Sequence, residues 1–181
     1  MYTIQTITPI CRKLHAHKLR QQPESQACVA TDHKLVLVTG FFDLLHSEHI
    51  NFLQKAREEG DILIVAVESD TRARHLKGEG RPIETQSVRA KNLLSLTEPI
   101  ESTETRKVVD FVILLPDNFN TPDAHKSLIQ AVHPDILAVS SHTKHQEKKS
   151  QLVTEFGGKL VVVHLHNPAI STTKIIAKNQ L

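Results

Sequence analysis

Asp43, His46 and His49 stand close together in the stretch Thr39–Gly60, TGFFDLLHSEHINFLQKAREEG. Two imidazoles three residues apart at the start of a helix can both donate to phosphate oxygens. A helix start suits an anion, because its first N–H groups lack intrahelical partners and the dipole is positive there. Lys77 and Arg81 lie in LKGEGRPI, a glycine-punctuated basic stretch, and Ser171, Thr172, Thr173 and Lys174 lie in ISTTKII near the end of the chain. No nucleophile–base pair accompanies these groups: Cys11 and Cys28 precede the first strand, and there is no G-x-S-x-G elbow. Cations and N–H donors of this kind suit transfer between phosphates. An attacking phosphate is already ionised at neutral pH and needs no general base. Catalysis then consists of holding an α-phosphorus in line and stabilising the charge that builds on it.

The elements that must position these groups are legible. Lys34–Thr39, KLVLVT, is an apolar, β-branched run of strand length ended by Gly40. Ser47 is placed to cap a helix whose apolar positions Ile50, Phe52, Leu53 and Ala56 fall on one side, and Gly60 suits its stop. Asp43, His46 and His49 therefore sit where a buried strand hands over to a helix, the place an open α/β sheet offers to ligands. Asp61–Glu68, DILIVAVE, is a second strand with almost no polar interruption, as a parallel sheet covered on both faces requires. Strand, helix and strand imply a right-handed crossover and a doubly wound sheet. The fold expected is α/β, a Rossmann-like three-layer α/β/α domain with a five-stranded, mainly parallel sheet and Lys34–Thr39 at its centre.

Residues 1–33 precede the first strand and read as an N-terminal helical extension packed on the domain, which spans 34–181. Pro9 is placed to open a short helix through about Arg20, with Ile10, Leu14 and Leu19 as apolar contacts. Its basic residues Arg12, Lys13, Lys18 and Arg20 read most simply as a solvated face, the alternative being attraction of an anionic substrate. Leu76–Arg81 is either a basic surface turn or a mobile loop closing cations over phosphates; it is neither a Walker A loop nor a G-x-G-x-x-G fingerprint. Thr85–Leu96 reads as a helix with Val88, Leu93, Leu94 and Leu96 in the core. Thr97–Lys107 is a polar surface insertion, subunit- or substrate-facing. Strands follow at Val108–Leu115, Pro134–Val139 and Lys159–His164, with helices from Thr121 or Asp123 to about Val132, over Lys148–Phe156, and over Ile170–Lys178. Ser171 or Thr172 caps the last helix, and such a cap can share its N-terminus with a phosphate. His142 and His145, in HTKH, are either metal ligands lacking a visible third partner or solvated loop residues.

Composition narrows the partners. With 181 residues, 22 basic and 20 acidic side chains and a formal charge of +2, the chain suits one domain and gives no sign of nucleic-acid binding. Two cysteines form neither a zinc spacing nor a disulfide framework, which points to a reducing cytoplasm. The opening MYTIQTITPI is too polar for a signal peptide, and no apolar run is long enough for a membrane span.

GFFDLLHSEH resembles the G-x-F-D-x-x-H-x-G-H motif of the cytidylyltransferase-like nucleotidyltransferases, and most of all the heptose 1-phosphate adenylyltransferase type. GDILIVAVESD, LKGEGRPI and Arg89 follow at that type's spacing, and ISTTKII resembles its S-T-T-x-I-I. The resemblance covers Val38–Arg89 and Ile170–Ile176 closely and the middle loosely. It implies an enzyme joining a nucleoside triphosphate, ATP or CTP, to a sugar- or polyol-phosphate with release of pyrophosphate. The alternative is a non-catalytic nucleotide- or phospholigand-binding homologue that regulates or scaffolds. By the resemblance, His46, His49 and Lys77 are catalytic. Gly40, Phe41, Phe42, Asp43, Arg81, Arg89, Ser171, Thr172 and Thr173 bind nucleotide or phosphate. Magnesium bridges the nucleotide phosphates through few protein ligands, and a homodimer is left open.

Two departures from the family pattern bear on function. Ser140–His142 replace a lysine and two glycines that lie by the nucleotide in the related enzymes, and Glu48 stands where the motif has glycine. A first-turn glutamate gains a few tenths to about 1 kcal/mol from the helix dipole. A carboxylate about 4 Å from one phosphate charge costs roughly 4 kcal/mol at an effective dielectric of 20. Glu48 is therefore expected to turn outward, to pair with a cation such as Lys77 or Arg81, or to hold magnesium.

Overall fold

The alternation of apolar residues along the strands decides the architecture. In the computed structural model, which describes residues 1–16, 33–101, 104–165, 172–173 and 176, the elements run α1 (Ile4–Ala16), β1 (Leu35–Gly40), α2 (Ser47–Glu58), β2 (Ile62–Val67), α3 (Asp70–Lys77), α4 (Gln86–Leu94), β3 (Thr97–Glu101), β4 (Glu104–Lys107), β5 (Phe111–Leu114), α5 (Pro122–Val132), β6 (Ile136–Ser140), α6 (Gln146–Glu155) and β7 (Lys159–His164). Leu35 and Leu37 of β1 pack with Ile64, Ala66, Leu137 and Val139 under α1, α5 and α6. Val36 and Val38 point the other way, packing with Leu63, Val65, Leu53 of α2 and Leu93 of α4. Both faces are dry, which is why these strands carry no polar alternation.

The main sheet has five parallel strands in the order β5-β2-β1-β6-β7, with β1 at its centre. The order reverses between β1 and β6: one half of the chain winds outward through β2, the other through β7. Such a reversal leaves a crevice at the carboxyl ends of the two middle strands, where open α/β sheets bind ligands.

Several local expectations are corrected. Pro9 lies inside α1 rather than at its start. The start is set by Thr3 and Thr6: the Thr3 hydroxyl accepts from the Thr6 N–H at 3.3 Å, and the Thr6 hydroxyl accepts from the Thr3 N–H at 2.7 Å. Complete burial of Ile7, with Cys11 almost fully buried, holds the helix despite the missing N–H of proline. The continuation toward Arg20, with Lys18, and Cys28 lie outside the described residues. Ser47 is the first helical residue of α2 and not its cap; His46 holds the cap position, with no side-chain hydrogen bond to the helix N–H groups. Val88 is 42% exposed, while α4 buries the expected Leu93 together with Arg89 and Ala90. The polar insertion Thr97–Lys107 folds as an antiparallel hairpin, β3 with β4, stapled on one face by Glu98 and Arg106 at 2.6 Å. α3 carries almost no periodic signal, since only Ala73 of its residues is buried.

Gly60 shows how tightly α2 is seated. A Cβ there would lie 2.6 Å from the Lys34 carbonyl oxygen and 2.7 Å from Val36 Cγ2. Gly60→Ala is expected to cost about 1–3 kcal/mol through overpacking. Denaturant unfolding with an unchanged midpoint would contradict this seating.

Candidate active site

The crevice at the β1/β6 reversal is a cleft of about 420 Å³. Its floor is Thr39 and Gly40 from the end of β1 with Ala138, Val139 and Ser140 from the end of β6. The loop after β1 shapes one wall. Phe42 and Leu44 take left-handed backbone conformations, φ 54° and 52°, which non-glycine residues hold only where the surroundings demand it. Phe42 folds back over the end of β1, so that a Cβ on Gly40 would stand 2.8 Å from its ring. Any side chain at position 40 would have to displace that ring.

Asp43 is the keystone of the loop and only 3% exposed. Its Oδ2 accepts from Arg81 Nε at 2.9 Å and Nη2 at 2.7 Å, and its carboxylate also takes the backbone N–H groups of Ile83, at 3.1 Å, and Glu84, at 3.0 Å. The Thr172 hydroxyl donates to the Asp43 carbonyl at 2.8 Å. The motif aspartate thus ties the loop carrying Arg81 and the distant Thr172 to the mouth of α2.

His46 and His49 line the cleft as stacked rings, with centroids 3.8 Å apart and planes 20° off parallel. The Phe42 ring meets His49 edge-on at 5.4 Å. Burial pushes the His49 imidazolium down to about 3, with His46 and Lys77 adding to the effect against Asp43 and Glu48. Burial also lowers His46, against the carboxylate of Glu48. Both rings are therefore neutral at neutral pH, and each offers one N–H rather than a full charge. The Nδ1 atoms of both rings are buried without a hydrogen-bond partner.

Linkage fixes the sign of the pH response. The unfolded chain binds a proton at His49 below about pH 6.5, whereas the folded chain resists until about pH 3. Stability is therefore present above the unfolded value and falls on acidification through that window, by at most about 1.4 kcal/mol per pH unit for this group. Denaturation midpoints measured between pH 7 and 4 should show a shallower decline in His49→Gln than in the parent chain. An identical decline in both would contradict a buried neutral ring.

The remaining predicted residues fall into three groups. Gly40, Phe41, Phe42, Asp43, His46, His49, Lys77, Arg81, Thr172 and Thr173 all line the one cleft. Lys77 ends α3 with its Nζ 5.8 Å from the Phe41 ring centre, and Gly78 and Gly80 follow at φ 95° and 80°. Arg89 does not reach the cleft: it is completely buried, and its donors go to the Phe41, Glu84 and Glu68 carbonyls and to Asp70. The phosphate contact expected of Arg89 is thus replaced by a bracing role beneath the loop. Ser171 and Lys174 lie outside the described residues.

Glu48 lines the cleft and meets a partner other than the expected Lys77 or Arg81. Its Oε2 lies 2.9 Å from Nε2 of His164, the last residue of β7. Nothing in the sequence singles out His164, although the end of a parallel strand is where such residues gather. Lys149 of α6 is a second unforeseen wall residue; burial lowers its ammonium while Glu68 opposes the shift. Ser140 and His142, read as departures, also line the cleft, with Ser140 Oγ 2.9 Å from His142 Nδ1. Among the described residues, no helix is long and apolar enough to cross a membrane, and no three His, Cys, Asp or Glu side chains are grouped to hold a metal.

Comparison with known proteins bears on this geometry. The Bifunctional protein HldE of Desulfatibacillum aliphaticivorans is 38% identical over 144 residues, covering 79% of this chain and 26% of that protein. The Bifunctional protein HldE of Gluconobacter oxydans is 30% identical over 185 residues, covering 94% of this chain and 35% of that protein. The chain thus spans about a quarter to a third of the length of these curated relatives. The crystal structure of the lipopolysaccharide core biosynthesis protein from Thermoplasma volcanium GSS1 superposes with a TM-score of 0.56 at 26% identity, covering 75% of this chain and 98% of that one. Pantothenate synthetase from Thermus thermophilus, at 13% identity and a TM-score of 0.50, shares the fold, over 97% of this chain and 66% of that one. A family model described as cytidylyltransferase-like matches residues 37–178, from the middle of β1 to beyond Thr173 and so across the whole cleft. With that span of matching sequence, this fold and these relatives, the chain belongs to the cytidylyltransferase-like family.

Proposed function

We propose that the protein transfers a nucleotidyl group from ATP or CTP to a sugar- or polyol-phosphate, releasing pyrophosphate. The observation that carries this reading is the convergence of His46, His49 and Lys77 on one cleft at the strand-order reversal. An oxygen of the acceptor phosphate attacks the α-phosphorus of the nucleotide. The bond from that phosphorus to the bridging oxygen breaks, and pyrophosphate leaves with the electron pair. No proton need move, so neutral imidazoles suffice: each donates an N–H to the oxygens on which charge accumulates. Lys77, at the start of the glycine-rich loop, supplies a full positive charge. Arg81 contributes less, because its fork is engaged by Asp43. Thr172 and Thr173 complete the lining, with Thr172 held on the Asp43 carbonyl.

The side chains do not build a cage for magnesium. Asp43 has its carboxylate filled by Arg81 and two backbone N–H groups, and no three-ligand group is present among the described residues. Magnesium, when bound, would be held chiefly by the nucleotide and would offset the charge on its phosphates. The two small-molecule partners would be met in a reducing cytoplasm.

Glu48 favours a second reading, in which the cleft binds a nucleotide or phosphorylated ligand without turning it over. Nucleoside triphosphates assayed against phosphorylated sugars and alditols decide between the two. Pyrophosphate release with one pair supports the transferase. Nucleotide binding without release from any pair supports the regulatory alternative.

A further inference from the structure

Glu48 and His164 form a fixed feature of the cleft. The carboxylate is 13% exposed and the imidazole 10%, and they meet at 2.9 Å across 116 residues of sequence. Phe52, one turn beyond Glu48 on the same side of α2, lies 6.3 Å from the His164 ring. Two elements, α2 and β7, thus hold the carboxylate in one place. His164 Nδ1 is itself buried without a hydrogen-bond partner, so the ring's contact to Glu48 is the polar interaction that orients it.

This carboxylate stands between the two imidazoles in sequence, on the first turn of α2. It repels phosphate charge, whereas Lys77 on the α3 side of the cleft attracts it. A nucleotide in this field would place its β- and γ-phosphates toward Lys77 and the group bonded to the other side of the α-phosphate toward Glu48. That group is the sugar. A ribose presents two neighbouring hydroxyls, neutral donors that a carboxylate accepts without repulsion. A carboxylate has about four lone-pair sites and can accept from several donors at once.

We propose, resting on the nucleotidyltransferase reading, that Glu48, positioned by His164, accepts hydrogen bonds from the ribose diol and makes the cleft select ribonucleotides over 2′-deoxyribonucleotides. Glu48 is the contacting residue and His164 a positioning residue. The carboxylate at the glycine position of the family motif is then a specificity element of the nucleotide site.

The test is calorimetric binding of ATP and 2′-deoxy-ATP, and of CTP and 2′-deoxy-CTP, to the full chain and its variants. The parent chain is expected to prefer the ribonucleotide by about tenfold or more, the worth of one hydrogen bond to a charged group. Glu48→Gly should bring the two sugars within about twofold, without weakening the deoxynucleotide, because the repulsion on the phosphates is relieved as well. Glu48→Gln keeps the side chain's size should the glycine variant fold poorly, and is expected to lose most of the preference. His164→Ala should reduce the preference too, an effect that a merely structural loss would not produce. Equal affinity for both sugars in the parent chain, or an undiminished preference in both Glu48 variants, overturns the inference while leaving nucleotide binding intact. Failure of all four nucleotides to bind the parent chain overturns the inference together with the transferase reading.

Discussion

Replacing Arg89 by methionine should destabilise the protein by about 3–5 kcal/mol, the range for removing one partner of a buried charged network. Arg89 is 0% exposed and braces several segments at once: Nη1 donates to the Phe41 carbonyl at 2.5 Å, Nε to the Glu84 carbonyl at 3.0 Å, and Nη2 to the Glu68 carbonyl at 2.9 Å and Asp70 Oδ1 at 2.6 Å. Methionine fills much of the volume but leaves three carbonyls and a carboxylate without their donor. Lysine keeps the charge and still loses the planar fork, so Arg89→Lys should also be destabilised. Denaturant unfolding without nucleotide is the decisive measurement. If Arg89→Met unfolded at the parent midpoint yet lost nucleotide affinity, the arginine would be a phosphate ligand and not a brace.

His49→Ala is expected to lower turnover by about 10²–10³-fold, the cost of removing one preorganised donor from developing charge. His46→Ala should fall in the same range. The two rings stack at 3.8 Å, so removing one releases the other, and the double variant should be little worse than either alone. The same residue links catalysis to stability. His49 is kept neutral by burial, with a value of about 3, and a chain without it loses one source of acid lability while losing its reaction. Turnover unchanged in His49→Ala would remove the imidazoles from the mechanism.

Local features of this fold were legible because they are set by neighbours in sequence. The uninterrupted apolar run at Leu35–Val38 could only be a strand covered on both faces, and it is the central one. The glycine, aspartate and histidines of the α2 mouth lie within ten residues, so their convergence follows from one strand-to-helix turn. What escaped was set by contacts across the chain. Arg89, placed on phosphate by the family resemblance, is drawn inward instead by the Phe41 carbonyl, 48 residues away. His164, which meets Glu48, lies 116 residues on, and nothing in the spacing distinguishes it from other histidines. Lys149 is one of several charged residues in a polar helix, and only the packing of α6 turns it toward the cleft. Pro9 misled for the converse reason: a local rule about helix starts yielded to the burial of Ile7 and Cys11.

The most direct measurement of the central claim follows the α-phosphorus. ATP or CTP labelled at that atom is incubated with the protein and each phosphorylated sugar or alditol. The account predicts that the label moves into a product containing the acceptor, in one-to-one amount with pyrophosphate, and that His49→Ala leaves it in the nucleotide. Label recovered only as free nucleoside monophosphate, or remaining entirely in the triphosphate with every acceptor, would contradict nucleotidyl transfer by this cleft.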